Sequence, residues 1–264
     1  MDKFVTKIKN VANKAIDIAR VSVPIRHVKS KPKATRKRFK PVLHDGASSF
    51  RIENKDEGWF VEYRVHVLDA KQAAAHLSYH RTTMPYVPEA RFYGNESKRD
   101  VCWQGNFDYP YSGTVKRATG PLPQEMQLVA TKAEDVALES LRKWHPDESI
   151  RPSFTGSLSN RYATGVKGIS GHSDDESALA PGVPIVAYTL LEDPNQPRVL
   201  KFRNKRGRHP AHHITLAHNS MLVMGGTCQK EWTHGIDADP AITKARYSDT
   251  FRQYRVEWCV VCVV

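Results

Sequence analysis

The chain is poor in three things. It has four cysteines among 264 residues, Cys102, Cys228, Cys259 and Cys262, too few and too scattered for a disulfide framework. It has no apolar run near the roughly 20 residues of a membrane-spanning helix, so no membrane partner is expected. It also lacks net charge over most of its length. Of a formal +12, +11 falls in residues 1–40, which carry 13 basic and two acidic side chains. The rest is a near-neutral body, and its 40% hydrophobic content exceeds what a disordered chain carries.

Residues 1–43 form a basic arm by this reading. Phe4, Ile8, Val11, Ala15 and Ile18 recur at helical steps, with Lys3, Lys7 and Lys14 off that stripe. Partner docking, membrane-surface binding and a mitochondrial presequence all use such a face. Lysine in place of arginine, with Asp2 and Asp17 interrupting, argues against the presequence, and no signal peptide is expected. Lys29–Lys40 is too charged and proline-broken to fold alone. It reads as a solvated linker, a phosphate-tracking tail or a nuclear-import signal, and import is favoured. The Cys259-Val-Val-Cys262 pair lies in an apolar C-terminal run and reads as part of a last strand.

Residues 44–264 show neither repeats nor an internal boundary. Trp59–Val67 alternates with a strand's period, and Asp69 is placed to cap a helix through Leu77. A second helix is expected over Ala133–Trp144. Short strands follow at Pro184–Leu191, Val199–Arg203, His213–Leu216, Ser220–Met224 and Arg246–Arg255. Helices followed by many strands predict an α+β fold, with helices packed on an antiparallel sandwich or barrel.

Within that body, His172-Ser-Asp174 places two ligand-type side chains on one side of an extended segment, and His234 offers a second imidazole. Two histidines and a carboxylate cap one face of an octahedral iron and leave positions open for a co-substrate and oxygen. With twelve histidines, an H-x-D match also arises by chance, and a surface His–Asp pair is the plain alternative. Arg246 and Arg252 share one face of a predicted strand. Two such guanidinium groups are costly to bury unless anions meet them, and a dicarboxylate needs such forks. Asn160 and Tyr162 alternate on an extended stretch and are placed to add hydrogen bonds.

Taken in order, Asn160-Arg-Tyr162, Gly171-His-Ser-Asp-Asp-Glu176, Leu179–Ile185, His234-Gly and Arg246 through Arg252 resemble the AlkB family of Fe(II)- and 2-oxoglutarate-dependent dioxygenases. The resemblance covers about residues 90–255 and is nearest to the nuclear, duplex-DNA-preferring animal type. It implies a double-stranded β-helix, or jelly-roll, core with helices on one sheet. It also implies Fe(II), 2-oxoglutarate and O2, and demethylation of N-alkylated bases such as 1-methyladenine and 3-methylcytosine in DNA by base flipping. His172, Asp174 and His234 would hold iron. Arg246, Arg252, Asn160 and Tyr162 would hold the co-substrate, and Asp175 and Glu176 would face the flipped base. Tyr93 would fill the gap in the duplex, and Trp103, Tyr109, Tyr111 and Ser112 would form an aromatic lid. Arg99, Lys205, Arg206 and Arg208 would hold the opposite strand and phosphates. Residues 3–7 resemble a sliding-clamp-binding motif, and residues 35–38 an import stretch. A nuclear monomer with an arm at 1–43 and a dioxygenase domain at 44–264 is the expectation. RNA or single strands as substrate, and a non-catalytic adaptor, stay open as alternatives.

Two residues depart from the family pattern. Ser248 stands where asparagine is usual, and Asp249 where an apolar residue is usual. Strand alternation turns Asp249 away from the side of Arg246 and, by expectation, outward.

Overall fold

The computed structural model describes residues 39–89, 99–111, 114–145 and 149–255. The strands are β1 (Val42–His44), β2 (Phe50–Asn54), β3 (Trp59–Val65), β4 (Val87–Pro88), β5 (Asp100–Gly105), β6 (Tyr109–Tyr111), β7 (Thr114–Lys116), β8 (Gly156–Tyr162), β9 (Ile169–His172), β10 (Ile185–Leu191), β11 (Arg198–Asn204), β12 (His212–Leu216), β13 (Ser220–Gly226), β14 (Trp232–Ile236) and β15 (Arg246–Arg252). Eight of them pair in the order β2-β3-β13-β10-β15-β8-β5-β4, and five in the order β1-β12-β11-β14-β9. Every pairing is antiparallel except that of β1 with β12. Among the described residues, no helix is long and apolar enough to cross a membrane.

The two sheets face each other across a core that takes Val61 and Tyr63 from β3, Leu222 and Met224 from β13, Phe202 from β11, Ile214 from β12 and Ile236 from β14. The outer face of the larger sheet is buried too. Phe60, Val186, Tyr188, Leu190, Tyr247 and Phe251 pack there against the long helix Gln124–Trp144 and the shorter helix Ala70–Thr82. The layers are therefore helices, large sheet, small sheet, which is the jelly roll with helices on one side.

A strand buried on both faces disguises its own period. β3 alternates as expected, but its polar side is covered by the long helix. Glu62 is buried there, and the guanidiniums of Arg51 and Arg64 and the Lys143 ammonium reach it at 2.6, 2.7 and 2.9 Å. Burial alone would raise the Glu62 pKa, yet the three cations bring it down to about 2.

Both helices exceed their expected spans. The long one starts at Gln124, and Met126, Val129 and Ala130 continue the buried stripe of Val136, Leu141 and Trp144 at helical spacing. The short one begins as expected, with Asp69 and Gln72 forming a reciprocal capping box, but runs to Thr82 instead of stopping at Leu77. Its last turns bury His76, Tyr79 and His80, a polar aromatic face with no hydrophobic signal. What receives that face is Asp249. This aspartate does point away from Arg246, but not outward: it is fully buried beneath the helix.

Candidate metal and co-substrate centre

The small sheet brings the two imidazoles together. β14 pairs with β9 so that His234 lies opposite His172, their ring centroids 4.4 Å apart. Asp174 follows just beyond β9. Its backbone N–H donates to Gln229 Oε1 at 2.9 Å, and the neighbouring Ser173 hydroxyl donates to the Trp232 carbonyl at 2.8 Å. These two bonds pin a segment that otherwise has no ladder partner. One ligand atom from each of His172, Asp174 and His234 lies within 4.8 Å of the others.

The protonation states suit a cation. His172 Nδ1 donates to the Ser170 carbonyl at 3.0 Å, which leaves Nε2 with a free lone pair. Burial pushes the His234 pKa down to about 4, so its imidazole is neutral at neutral pH. Burial would by itself raise the Asp174 pKa, but the Arg252 guanidinium holds it well below the usual carboxylate range. The triad thus offers two imidazole nitrogens and one carboxylate, the donor set that divalent iron takes.

The larger sheet supplies the other wall. Arg246, Ser248, Thr250 and Arg252 alternate on one face of β15 and line the same pocket as the triad, with Asn160 and Tyr162 beside them on β8. Arg252 Nη2 donates to Asp174 Oδ1 at 2.7 Å, which anchors the metal end. Arg246, at the other end of the strand, has its guanidinium 5.5 Å from the Tyr162 ring centroid and Nη2 donating to Thr189 Oγ1 at 3.3 Å. Burial pulls Arg246 down to about 10, with Arg198 and Arg99 adding repulsion.

Several polar atoms on this pocket are buried without partners: Arg246 Nε, Arg252 Nε and Nη1, and Asn160 Oδ1. Buried guanidinium N–H groups left unsatisfied are costly, and a bound anion with a carboxylate at each end would satisfy them. The residues therefore fit both groups of the expected pair: a divalent ion at the triad and a dicarboxylate along β15.

The remaining expected residues divide. Trp103 and Tyr109 are fully enclosed in an aromatic cluster with Phe107 and Tyr254, stacked on each other at 4.5 Å. Trp103 lies so close over β8 that a Cβ on Gly156 would sit 2.3 Å from its ring, so glycine is required there. The Tyr109 hydroxyl donates to Glu176 Oε1 at 2.6 Å, which ties this cluster to the segment after the H-x-D. Glu176 Oε2 is buried without a partner. Asp175 is exposed and 4.0 Å from the Lys205 ammonium. Arg206 pairs with Glu231 at 3.2 Å, and Arg208 is exposed on the same turn, which Gly207 makes by adopting φ +64°.

Arg99 is not on the outer surface where a phosphate contact would need it. It is buried, lines the pocket, donates to the Tyr162 hydroxyl at 3.2 Å and pairs with Glu89 at 2.8 Å. Tyr93, Ser112 and residues 1–38 lie outside the described residues, as do Cys259, Cys262 and the Tyr111 side chain. Sequence reasoning missed Thr189 and Gln229. Their signal is positional only, Thr189 lying opposite Ser248 in the ladder and Gln229 in the turn before β14.

Comparison with known proteins points the same way. Residues 61–256 match the model of the 2OG-Fe(II) oxygenase superfamily. The chain is 32% identical over 123 residues to the DNA oxidative demethylase ALKBH2 of Homo sapiens, which covers 44% of this chain and 45% of that protein. It is 32% identical over 108 residues to ALKBH2 of Bos taurus, covering 38% and 37% respectively. These matches span less than half the length of each relative. The solved structure of OsALKBH1 superposes with a TM-score of 0.53 at 16% identity, over 73% of this chain and 97% of that one, a likeness of fold. With most of its described body inside the matched region, and the triad and paired arginines on one pocket, the chain belongs to the 2OG-Fe(II) oxygenase superfamily.

Proposed function

We propose that this protein is an Fe(II)- and 2-oxoglutarate-dependent oxidative demethylase of N-alkylated bases in DNA. The observation that carries the proposal is the convergence of His172, Asp174 and His234 with the partly unsatisfied guanidiniums of Arg246 and Arg252 on one buried pocket. When bound, iron supplies the oxidation that hydroxylates an N-methyl group, which then leaves as formaldehyde.

The chain's own residues do the rest. His172, Asp174 and His234 hold the ion from one side. Arg252, paired to Asp174, would hold one carboxylate of 2-oxoglutarate, and Arg246 with Tyr162 the other. The two sheets exclude water from the space between them. Glu176, held by Tyr109 through one oxygen, has the other available to accept a hydrogen bond from a base amino group. Asp175, 4.0 Å from the Lys205 ammonium, stands beside the turn where Lys205, Arg206 and Arg208 offer positive charge to phosphates. A base reaches such a site only by leaving its stack. Methylation on the pairing edge lowers that cost, and a wedge at Tyr93 would offset part of it.

The names of the curated relatives support DNA as the substrate. Duplex preference, nuclear location, clamp contact through residues 3–7 and a monomeric state rest on the sequence of the arm and of residues 92–94. The test is mass-spectrometric demethylation of matched single- and double-stranded oligonucleotides containing 1-methyladenine or 3-methylcytosine. Iron- and 2-oxoglutarate-dependent release of succinate and formaldehyde is expected, and His172→Ala abolishes it. Turnover unchanged in that variant overturns the proposal. Equal loss of duplex and single-strand turnover in Tyr93→Ala removes the duplex preference.

A further inference from the structure

A second cluster of two histidines and an aspartate lies on the opposite face of β15. His76 and His80 stand one turn apart on the helix Ala70–Thr82, so their side chains project from the same side. Both reach Asp249. His76 Nε2 is 2.8 Å and His80 Nε2 3.0 Å from Asp249 Oδ2, and the two Nε2 atoms are 3.2 Å apart. Three donor atoms therefore form a nearly equilateral triangle, fully buried, with none of the pocket's residues among them.

Hydrogen bonding accounts poorly for that triangle. For both imidazoles to donate to one carboxylate oxygen, their Nε2–H groups must crowd together at 3.2 Å. A cation held just off the plane of the triangle removes the conflict by taking the three lone pairs. Zinc–ligand distances of roughly 2.0–2.2 Å place neighbouring donors of a tetrahedron roughly 3.3 Å apart, close to the spacing here.

The outer bonds match as well. His80 Nδ1 lies 2.7 Å from the Tyr86 hydroxyl, which can accept its proton and free Nε2 to ligate. Ser159 Oγ donates to the other Asp249 oxygen at 2.5 Å, orienting Oδ2 inward. His76 Nδ1 is buried with no partner, and it would carry the proton that ligation through Nε2 displaces.

We propose that His76, His80 and Asp249 form a second, enclosed divalent-metal site, with Zn(II) the best-matched ion for two imidazoles and a carboxylate. The site staples the short helix to β15, the strand whose other face carries Arg246, Ser248 and Arg252. Because it is closed, it loads as the chain folds and does no chemistry on substrate. It does not depend on the demethylase reading.

Metal content tests this directly. The full chain is stripped with chelator under denaturing conditions, refolded with Zn(II), and its bound ions counted by native mass spectrometry. Two ions are expected in the wild type, one in the His172→Ala/His234→Ala chain and one in Asp249→Asn. The thermal midpoint of His172→Ala/His234→Ala rises by several degrees with Zn(II), and adding Asp249→Asn removes that rise. Should Asp249→Asn fail to fold, His80→Gln serves in its place, since it too removes a ligand. A wild-type chain with one ion, lost on mutating His172 and His234, overturns the proposal, as does a thermal rise that persists when Asp249→Asn is added to His172→Ala/His234→Ala.

Discussion

The same three residue types meet twice in this molecule, and the two meetings differ in what surrounds them. His172, Asp174 and His234 lie between the sheets, at a pocket with unsatisfied guanidiniums and room for an anion. His76, His80 and Asp249 lie between the larger sheet and a helix, closed in by Tyr86 and Ser159. β15 separates them, since its even-numbered residues line the pocket and Asp249 faces the helices. The difference teaches that a ligand set does not define a role. Openings beside it and charges facing it decide between chemistry and structure.

The sharpest way to break the comparison is to remove one member from each triad. Asp174→Ala is expected to reduce succinate release by well over ~100-fold, beyond the ~10–100-fold typical of losing an outer partner. Circular dichroism should show the fold retained. Asp249→Asn should do the reverse. It is expected to lower unfolding free energy in urea by about 2–4 kcal/mol, because two buried imidazoles lose their carboxylate, while kcat at saturating 2-oxoglutarate changes little.

A smaller effect separates the two faces of β15 more finely. Arg246→Lys keeps a charge but not the fork, and is expected to raise KM for 2-oxoglutarate about 10-fold or more with a lesser change in kcat. If kcat falls as far as kcat/KM, Arg246 acts elsewhere than in holding the co-substrate. Steady-state kinetics decides.

Away from both triads, the Glu62 cluster gives a pH signature. Its carboxyl titrates at about 2 in the folded chain, below its ordinary 4.5. The stabilisation is therefore present above pH ~4.5 and is lost as pH falls toward 2. The difference in unfolding free energy between wild type and Glu62→Gln, on the order of 2 kcal/mol at pH 7, should shrink over that window. A difference unchanged between pH ~5 and pH ~2.5 would show that Lys143 and the two arginines do not act through its charge. The smallest effect belongs to the arm. Deleting residues 1–40 should leave 2-oxoglutarate turnover on oligonucleotides within about twofold at moderate salt, while reducing nuclear accumulation.

The strands Ile185–Leu191, Arg198–Asn204, His212–Leu216 and Ser220–Gly226 were legible to within two residues, because each is a short β-prone run bounded by turn residues. The triad and the arginine pair were legible because their spacing repeats a known order. Burial escaped the sequence. Arg99 reads as an exposed cation but is enclosed with Glu89, and the helix end at Thr82 depends on polar rings with no apolar stripe. Asp249 reads as a surface residue because local alternation reports which face a side chain takes, not what covers that face.

The sequence by itself determined the α+β class, the +11 arm set against a neutral body, and the identity of the candidate iron and co-substrate residues. All of these depend on local period, composition or linear order. Only the tertiary structure decided which polar residues are enclosed and which meet. His76 and His80 lie 173 and 169 residues before Asp249, and no local pattern encodes a contact across that distance. It arises because the helices must cover the sheet's outer face, and whatever lies beneath them is forced to find a partner.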